Sequence, residues 1–381
     1  MLNIREAESY GRATGPDLFA LCEQASAVRD DHWGHTLTYS RKVFIPLTNM
    51  CRDQCGYCTF VKAPDSPEAG YMTPGQVLET ALQGEQAGCK EALFSLGERP
   101  EQRHDLARQW LEKLGARSTL DYLHDQCQNV LDNTRLLPHI NAGALSKEEL
   151  RQLKPVAASM GMMLENITLD LLKQGGAHHG CPDKTPKRRL ATLEAAGQLD
   201  IAFTTGLLIG IGESWQDRIA SLAAIREIHQ QYGHIQEVII QNFRAKPGTA
   251  MAGTQEPDLD EMKRTLAVAR LMLPAEISLQ APPNLEAGYG AYISAGLNDW
   301  GGISPVTRDF INPERAWPQI SSLDTACQGK GFELAERLTI YPRYQNNQQD
   351  QQSHQHYLSA DLQQRVTQLN QSFFEQGRLV A

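Results

Sequence analysis

The feature that most constrains this chain is a run of three closely spaced cysteines, Cys51, Cys55 and Cys58, at positions i, i+4 and i+7. Thiolates at this spacing on one short loop suit one face of an iron–sulfur cube, which normally takes four thiolates. No fourth cysteine follows nearby. The missing ligand leaves one iron with an open coordination position, and an open position on a metal usually serves chemistry.

Two other kinds of metal site fit the cysteine run less well. A structural zinc site needs a fourth Cys or His at short spacing, but His32 and His35 lie well upstream and the next histidine downstream is His104. An electron-carrier cluster also needs a fourth cysteine. The spacing therefore favours a catalytic [4Fe–4S] cluster over both alternatives.

Composition narrows the class of protein further. The 381 residues are 41% hydrophobic, which is enough for a sizeable core, and the net charge is −9. An acidic chain without a basic run is a poor partner for nucleic acid or an anionic membrane, and no stretch reaches the length of a transmembrane span. The N-terminus lacks signal-peptide features, and the eight cysteines suggest thiols in a reducing compartment, so we expect a cytoplasmic location.

Strand-like and helix-like segments alternate along the chain. The predicted strands are apolar or β-branched runs, at 42–47, 91–96, 136–141, 157–165, 201–209, 236–243, 277–281 and 302–304. Thr73, Ser118, Ser146, Thr185 and Ser214 mark the starts of helices between them. This alternation predicts an α/β fold, a TIM-type (β/α) barrel of eight units. We divide the chain into an N-terminal helical extension (1–36), a core (37–276), and a segment that completes the barrel and adds a C-terminal helical extension (277–381).

The cysteine run and the residues after the predicted strands resemble the radical S-adenosylmethionine (SAM) superfamily, in which the open iron binds the amino and carboxylate groups of SAM. The resemblance implies that Gly97 and Glu98 receive the SAM ammonium and that Glu165 binds ribose hydroxyls. It also implies that Arg189, or less securely its neighbour Arg188, binds the methionine carboxylate. The glycine-rich strand end with Gly206, Gly210 and Ile211, together with Tyr57, corresponds to the adenine site.

Three further segments narrow the resemblance to the smaller subunit of FO synthase, the CofG family. These are the stretches at 48–60, 94–100 and 298–305, supported by the run at 242–248. The resemblance implies that a sister subunit, CofH, joins 4-hydroxybenzyl from tyrosine to a ribityl-diaminouracil. A CofG-type enzyme then closes the ring of this small-molecule adduct, 5-amino-5-(4-hydroxybenzyl)-6-(D-ribitylimino)-5,6-dihydrouracil, to the deazaflavin FO and releases ammonia. A low-potential electron donor is also implied.

Polar residues near predicted strand ends are candidate substrate contacts. They are Asn49, Asn141, Thr205, Asn242, Arg244, Asn284 and Asp299. Cys22, Cys89, Cys127 and Cys327 suit buried apolar positions. His178, His179 and Cys181 belong either to a second metal site or to a loop over the active site, and we favour the loop. Other readings of the whole chain are the sister subunit, a menaquinone-pathway relative, and an iron–sulfur scaffold or electron carrier.

Overall fold

The structure, a computed structural model, describes residues 1–345 and 356–375. Nine strands are present in this part of the chain: β1 (Thr36–Pro46), β2 (Glu91–Ser95), β3 (Leu137–Asn141), β4 (Ser159–Gly161), β5 (Phe203–Ile209), β6 (Ile235–Asn242), β7 (Ser278–Gln280), β8 (Asp299–Ile303) and β9 (Glu333–Arg337). Strands β1 to β8 pair in chain order, all parallel, and β1 pairs with both β2 and β8. The sheet is therefore a closed eight-stranded barrel, as the sequence predicts.

Helices cover the outside of the barrel. The described α-helices are α1 (Ile4–Ser9), α2 (Gly15–Trp33), α3 (Pro74–Gln86), α4 (Asp105–Lys113), α5 (Thr119–Asn133), α6 (Lys147–Leu153), α7 (Pro186–Gln198), α8 (Trp215–Tyr232), α9 (Leu259–Met272), α10 (Ile320–Gln328) and α11 (Ala360–Glu375). Side chains of Thr73, Ser118, Ser146 and Ser214 accept backbone N–H bonds at helix starts, as expected for N-caps. Thr185 occupies the N-cap position of α7 without a side-chain cap bond.

Several strand boundaries differ from the sequence prediction. β1 begins six residues earlier, at Thr36, and β8 begins at Asp299 instead of residue 302. β4 is regular only from Ser159 to Gly161. The chain continues along β5 through bonds from Met162 N–H to Thr204 and from Glu165 N–H to Gly206, but Glu165 has a φ of 63°. This left-handed residue ends the extended conformation at the strand's carboxyl end.

The amino end of the barrel has a floor that the sequence did not predict. β9 pairs in parallel with the first part of β1, and residues 337–341 follow it. Thr339 contacts Ser159, and Tyr341 donates a hydrogen bond to Ser278, so this segment lies across the starts of β4 and β7. The C-terminal extension is thus not purely helical. We call residues 337–341 the floor.

The expected extension at 1–36 contains α1 and α2, and α2 packs on α9. The domain boundaries stay predictions. The Gln- and His-rich composition of residues 345–355 predicts a solvated loop or connector, and this stretch lies outside the described residues except for Gln345. Across the described chain, no helix has the length and apolar character needed to cross a membrane.

Candidate functional site

The cysteine loop follows β1 directly and is held against the end of β2. Cys51 is buried, and its sulfur accepts backbone N–H bonds from Asp53 (3.3 Å) and Glu98 (3.1 Å). Phe60 and Val61 supply backbone hydrogen bonds to the sulfur of Cys58. Backbone N–H groups directed at sulfur favour the thiolate form, which is the form that binds metal. The loop is therefore suited to hold an anionic cluster.

Gly97 permits this close approach of the two loops. A Cβ at Gly97 would lie 1.9 Å from the backbone oxygen of Met50 and 2.8 Å from Cys51 Cβ, so a larger residue cannot occupy the position without moving the cysteine loop. The Gly97 N–H also donates to the Thr48 oxygen at 3.0 Å. Gly97 thus positions the loop, in addition to any contact with a ligand.

Residues 169–185, which we call the cover segment, lie over the cysteine loop. The Gly56 N–H donates to the Ala177 oxygen at 2.8 Å, and the Asp183 N–H donates to Asp53 Oδ1 at 3.2 Å. Arg52 forms a two-pronged ion pair with Asp183. These bonds join the two segments, which fits the interpretation of a loop over the site.

The cover segment does not assemble the alternative metal site. Its His178 bonds to Glu165 and its Cys181 lies against Cys55. Among the described residues, the group whose ligand atoms lie close enough for a metal ion is Asp53, Glu98 and Asp183, with atoms within 4.8 Å of one another. His178, His179 and Cys181 do not form such a group.

Glu98 is a buried carboxylate beside the cysteines. Its Oε1 accepts the Ala144 N–H at 2.8 Å. Gly143, with a φ of 76°, leaves room for it, because a Cβ there would lie 2.4 Å from Glu98 Oε2. Burial raises the pKa of Glu98 to about 7, although nearby Arg189 acts to lower it. A buried carboxylate with unused bonding capacity is suited to accept an ammonium group.

Arg189 points from α7 toward the same space. Its side chain is buried and donates to the backbone oxygen of Met163, while its Nε has no partner among the described residues. Arg188 is half-exposed and pairs with Asp183 at 3.1 Å. The structure thus places Arg189, and not Arg188, on the wall of the cavity that contains the cysteines.

Glu165 is the centre of a buried network. Tyr57 donates to its Oε2 at 2.6 Å, His178 Nε2 lies 2.7 Å from the same oxygen, and Lys184 bonds to Oε1. Burial alone would raise the pKa of Glu165, but Lys184 and His178 hold it well below its usual range. Sequence reasoning found Glu165 and Tyr57 but missed Lys184 and this role of His178, since both belong to the cover segment.

The glycines at the end of β5 serve mainly strand packing and local hydrogen bonding. A Cβ at Gly206 would lie 2.1 Å from the Ile239 oxygen in β6, so this glycine allows the two strands to pack. Gly210 and Ile211 donate backbone N–H bonds to Glu213. Ile211 belongs to a small apolar cluster with Leu208, and Tyr57 packs against that cluster. The cluster provides an apolar surface beside the cysteines, suited to a flat heterocycle.

Two cavities meet at the carboxyl ends of the strands. One, of about 220 Å³, is lined by the three cysteines, Glu98, Glu165 and Arg189. The second, of about 170 Å³, is the barrel lumen. They share wall residues, which are Ser95, Asn141, Met162, Met163, Gln241 and Ile311. A group bound at the cysteines and a molecule in the lumen would therefore be neighbours.

Of the seven candidate substrate residues, Asn141 alone lines these two cavities. Asn49 bonds to the backbone of Glu68 and Gly70 in its own loop. Thr205 accepts the Leu164 N–H and Asn242 donates to the Leu285 oxygen. These three side chains satisfy backbone groups and do not reach the lumen.

The remaining candidates are also engaged elsewhere. Arg244 pairs with Glu256 and Glu286, and Asn284 donates to Asp309. Asp299 starts β8 at the amino end of the barrel and is ion-paired with Arg337. Asp299 does lie at a strand end, but it is the amino end of β8, on the side of the barrel away from the cysteines. The prediction that it contacts the substrate therefore has no support from its position.

Comparison with known proteins identifies the family. Residues 45–225 match the family model described as the radical SAM superfamily. Over 309 residues the chain is 48% identical to a 7,8-didemethyl-8-hydroxy-5-deazariboflavin synthase of Methanopyrus kandleri, covering 81% of this chain and 92% of that protein. The chain belongs to this synthase family. It is therefore a radical SAM enzyme of a family that serves deazaflavin biosynthesis.

A longer relative is similarly close. An FO synthase of Nocardia farcinica is 49% identical over 355 residues, covering 90% of this chain and 41% of that protein. This chain thus spans less than half of that relative. In fold it is similar to methylornithine synthase (PylB), with a TM-score of 0.69 at 19% identity over 88% of this chain and 94% of the other. It is also similar to the hydrogenase maturase HydG of Carboxydothermus hydrogenoformans, with a TM-score of 0.71 at 16% identity over 96% and 78%.

Radical SAM enzymes use a [4Fe–4S] cluster and SAM, and these are the cofactors of this chain. The three thiols fit the cluster, because they lie on one loop, the sulfurs of Cys51 and Cys58 receive backbone hydrogen bonds, and Gly97 lets the loop lie close to the end of β2. The residue roles toward SAM stay predictions. The unpaired Arg189 Nε and the buried Glu98 carboxylate are oppositely charged groups that suit the two charged ends of a methionine.

Proposed function

We propose that the protein catalyses the ring-closing half of FO synthesis. Its substrate is the adduct 5-amino-5-(4-hydroxybenzyl)-6-(D-ribitylimino)-5,6-dihydrouracil, and its products are FO and ammonia. When bound, the cluster and SAM supply the electron and the deoxyadenosyl radical needed to abstract hydrogen. The CofG-like segments and the Methanopyrus kandleri relative, 92% of which is covered, support this proposal.

The observation that carries the proposal is the lumen directly beneath the cysteine cavity. Its walls combine the aromatic rings of Phe44, Trp300 and Trp317 with polar side chains, among them Asn141 and Gln241. The proposed adduct has a phenol, a pyrimidinedione and a ribityl chain, so it needs both kinds of wall. An enclosed lumen also keeps water from a reactive intermediate.

The chain's own residues supply positioning. Asn141 and Gln241 belong to the walls of both cavities and make no side-chain hydrogen bond to the described residues, so their amides are available to a ligand. Holding the adduct at this junction sets which hydrogen faces the radical. Misplacement by about 1 Å can lower such a rate about a hundredfold.

We further propose two partners, a CofH-type sister subunit that supplies the adduct and a low-potential electron donor. Free tyrosine fills only part of the space that the adduct needs. With tyrosine and the ribityl-diaminouracil, this chain alone should therefore make no FO until CofH is added. FO formed from those two simple substrates by this chain alone would show that it performs the coupling step as well.

The direct test is anaerobic turnover of the purified adduct with reductant and SAM. The expected products are fluorescent FO, ammonia and 5′-deoxyadenosine, measured together. The Cys55→Ala variant is the matched control and should form none of them. SAM cleavage by the native protein without FO or ammonia would contradict the proposed reaction.

A further inference from the structure

Lys42 carries a charged group into the lumen without a partner. It lies on β1 and faces the lumen, and its Nζ makes no hydrogen bond or ion pair with the described residues. The Nζ lies 5.1 Å from the ring centre of Trp317 and 5.8 Å from that of Phe44. Aromatic faces attract a cation at such distances but do not replace hydrogen-bond acceptors. Three donors are thus left open to the cavity.

Gly302 on β8 makes the room for this lysine. A Cβ at Gly302 would lie 2.3, 2.5 and 2.6 Å from Lys42 Cδ, Cε and Nζ. Distances this short mean that any side chain at position 302 must displace the lysine. Two strands therefore cooperate to place one ammonium at this point of the lumen.

Three carboxylates line the lumen with Lys42, but none forms a hydrogen bond or an ion pair with its Nζ. Glu91 accepts a hydrogen bond from Ser40, and Glu237 binds Arg337, Tyr341 and Thr204. Asp309 accepts two backbone N–H bonds and two amide N–H bonds. An ammonium left unpaired in an enclosed cavity is costly. A ligand with acceptor oxygens would remove that cost.

The neighbouring groups indicate the class of ligand. His139 Nε2 and the amides of Asn141, Gln241 and Gln280 also line the lumen without a hydrogen-bond partner among the described residues. This mixture of donors and acceptors suits a neutral heterocycle that presents both. A phosphate or carboxylate suits this lumen less well, because Glu91, Glu237 and Asp309 line it and would repel an anion. Arg337 is already paired with Asp299 and Glu237.

We propose that Lys42 is a specificity-determining residue whose ammonium donates a hydrogen bond to a carbonyl oxygen of the substrate's pyrimidinedione. The flat ring would lie beside Trp317 and Phe44, in the part of the lumen below the cysteine cavity. The phenol end of the adduct then lies away from Lys42. This inference rests on the proposed function, since that function supplies the pyrimidinedione.

The test measures binding of ribityl-diaminouracil, the pyrimidine half alone, to the cluster-loaded protein by anaerobic calorimetry. Lys42→Met should weaken binding roughly tenfold or more, the loss expected for a hydrogen bond to a charged group. Gly302→Ala should give a similar loss, because it displaces the same ammonium. Lys113→Met and Gly75→Ala are matched controls, since Lys113 is exposed and a Cβ at Gly75 meets nothing within 4 Å. Both controls should bind as the native protein does.

SAM affinity and cluster content, measured on the same samples, report whether each variant is folded. If Lys42→Met is poorly folded, Lys42→Gln provides the same loss of charge with a smaller change in polarity. A folded Lys42 variant with native affinity for ribityl-diaminouracil would overturn the inference. So would loss of affinity for 4-methylphenol alone, which would assign Lys42 to the phenol half.

The two proposals fail in different ways. If the native protein forms FO from the adduct and Lys42→Met does so with an unchanged KM, the Lys42 inference fails and the proposed function stands. If pyrimidine binding depends on Lys42 but the native protein forms no FO, the binding site stands and the reaction is wrong.

Discussion

Cys181 Sγ lies 3.7 Å from Cys55 Sγ. The Cys181 thiol of the cover segment is therefore the hydrogen-bond donor to Cys55, one of the three predicted cluster ligands. Cys51 and Cys58 receive backbone hydrogen bonds instead. The backbone oxygen of His179, 3.9 Å away, is a second acceptor for the Cys181 thiol. A metal-bound thiolate at Cys55 carries more negative charge than this oxygen and is therefore the stronger acceptor. The cover segment thus contacts a predicted cluster ligand through the sulfur of Cys181.

The first prediction is that Cys181→Ala lowers the midpoint potential of the cluster. Hydrogen bonds to cluster sulfurs stabilise the more negatively charged reduced state and so raise the potential. A redox titration followed by electron paramagnetic resonance measures the shift. Cys181→Ser keeps a hydrogen-bond donor, so its midpoint potential should stay closer to that of the native protein. Cys22→Ala is the control and should have the native midpoint potential. Equal potentials in the alanine and native proteins would rule out this role.

The second prediction concerns the ligands themselves. Replacing Cys51, Cys55 or Cys58 by alanine should abolish 5′-deoxyadenosine formation, because each removes one of the three protein ligands. Cys22→Ala and Cys327→Ala should leave it largely intact, since both thiols are buried in the core away from the loop. Chromatographic assay of 5′-deoxyadenosine measures the effect. Full 5′-deoxyadenosine production by Cys55→Ala would refute the assignment of Cys55 as a cluster ligand.

The third prediction is a pH dependence of SAM binding. Burial disfavours the charged form and raises the pKa of Glu98 to about 7, so the carboxyl gains a proton as the pH falls through that value. If the carboxylate receives the SAM ammonium, affinity should fall as the pH is lowered from about 8 to about 6. Calorimetry across this range measures it. Glu98→Gln should bind weakly with a flat profile, and a native pH slope in this variant would exclude Glu98.

The fourth prediction is that Arg189→Ala weakens SAM binding by about 2–4 kcal/mol, the cost of leaving a buried charge without its partner. Arg188→Ala is the control. Arg188 is half-exposed and pairs with Asp183, so its loss should have a much smaller effect. Equilibrium binding of SAM to both variants measures the difference. A larger loss for Arg188→Ala would transfer the role to that residue.

The barrel was predictable because its signals are local. Apolar runs alternate with capped helices, and Ser118, Ser146 and Ser214 cap the helices they were expected to cap. The cysteine loop was predictable for the same reason, since its three thiols are neighbours in sequence. Glu98 and Glu165 follow strands and lie on the cavity wall as expected of such positions.

Which residues of a strand face the lumen was not predictable. The sequence predicts Thr205 and Asn242 as substrate contacts, but their neighbours Thr204 and Gln241 line the lumen. Successive side chains point to opposite faces, so an error of one residue reverses the assignment. Strands buried on both faces lack the apolar–polar alternation that would reveal the register. The partners of Glu165 were missed for another reason, because Lys184 and His178 reach it from the cover segment.

The floor at 337–341 has a kinetic consequence. It covers the amino end of the barrel, so a molecule in the lumen exchanges with solvent through the carboxyl end of the strands, where Glu98 and Arg189 lie. A ligand seated between those residues would then stand in the route that connects the lumen with the cysteine cavity. We therefore expect an ordered sequence of events in which the adduct enters before SAM and the deazaflavin departs after the fragments of SAM.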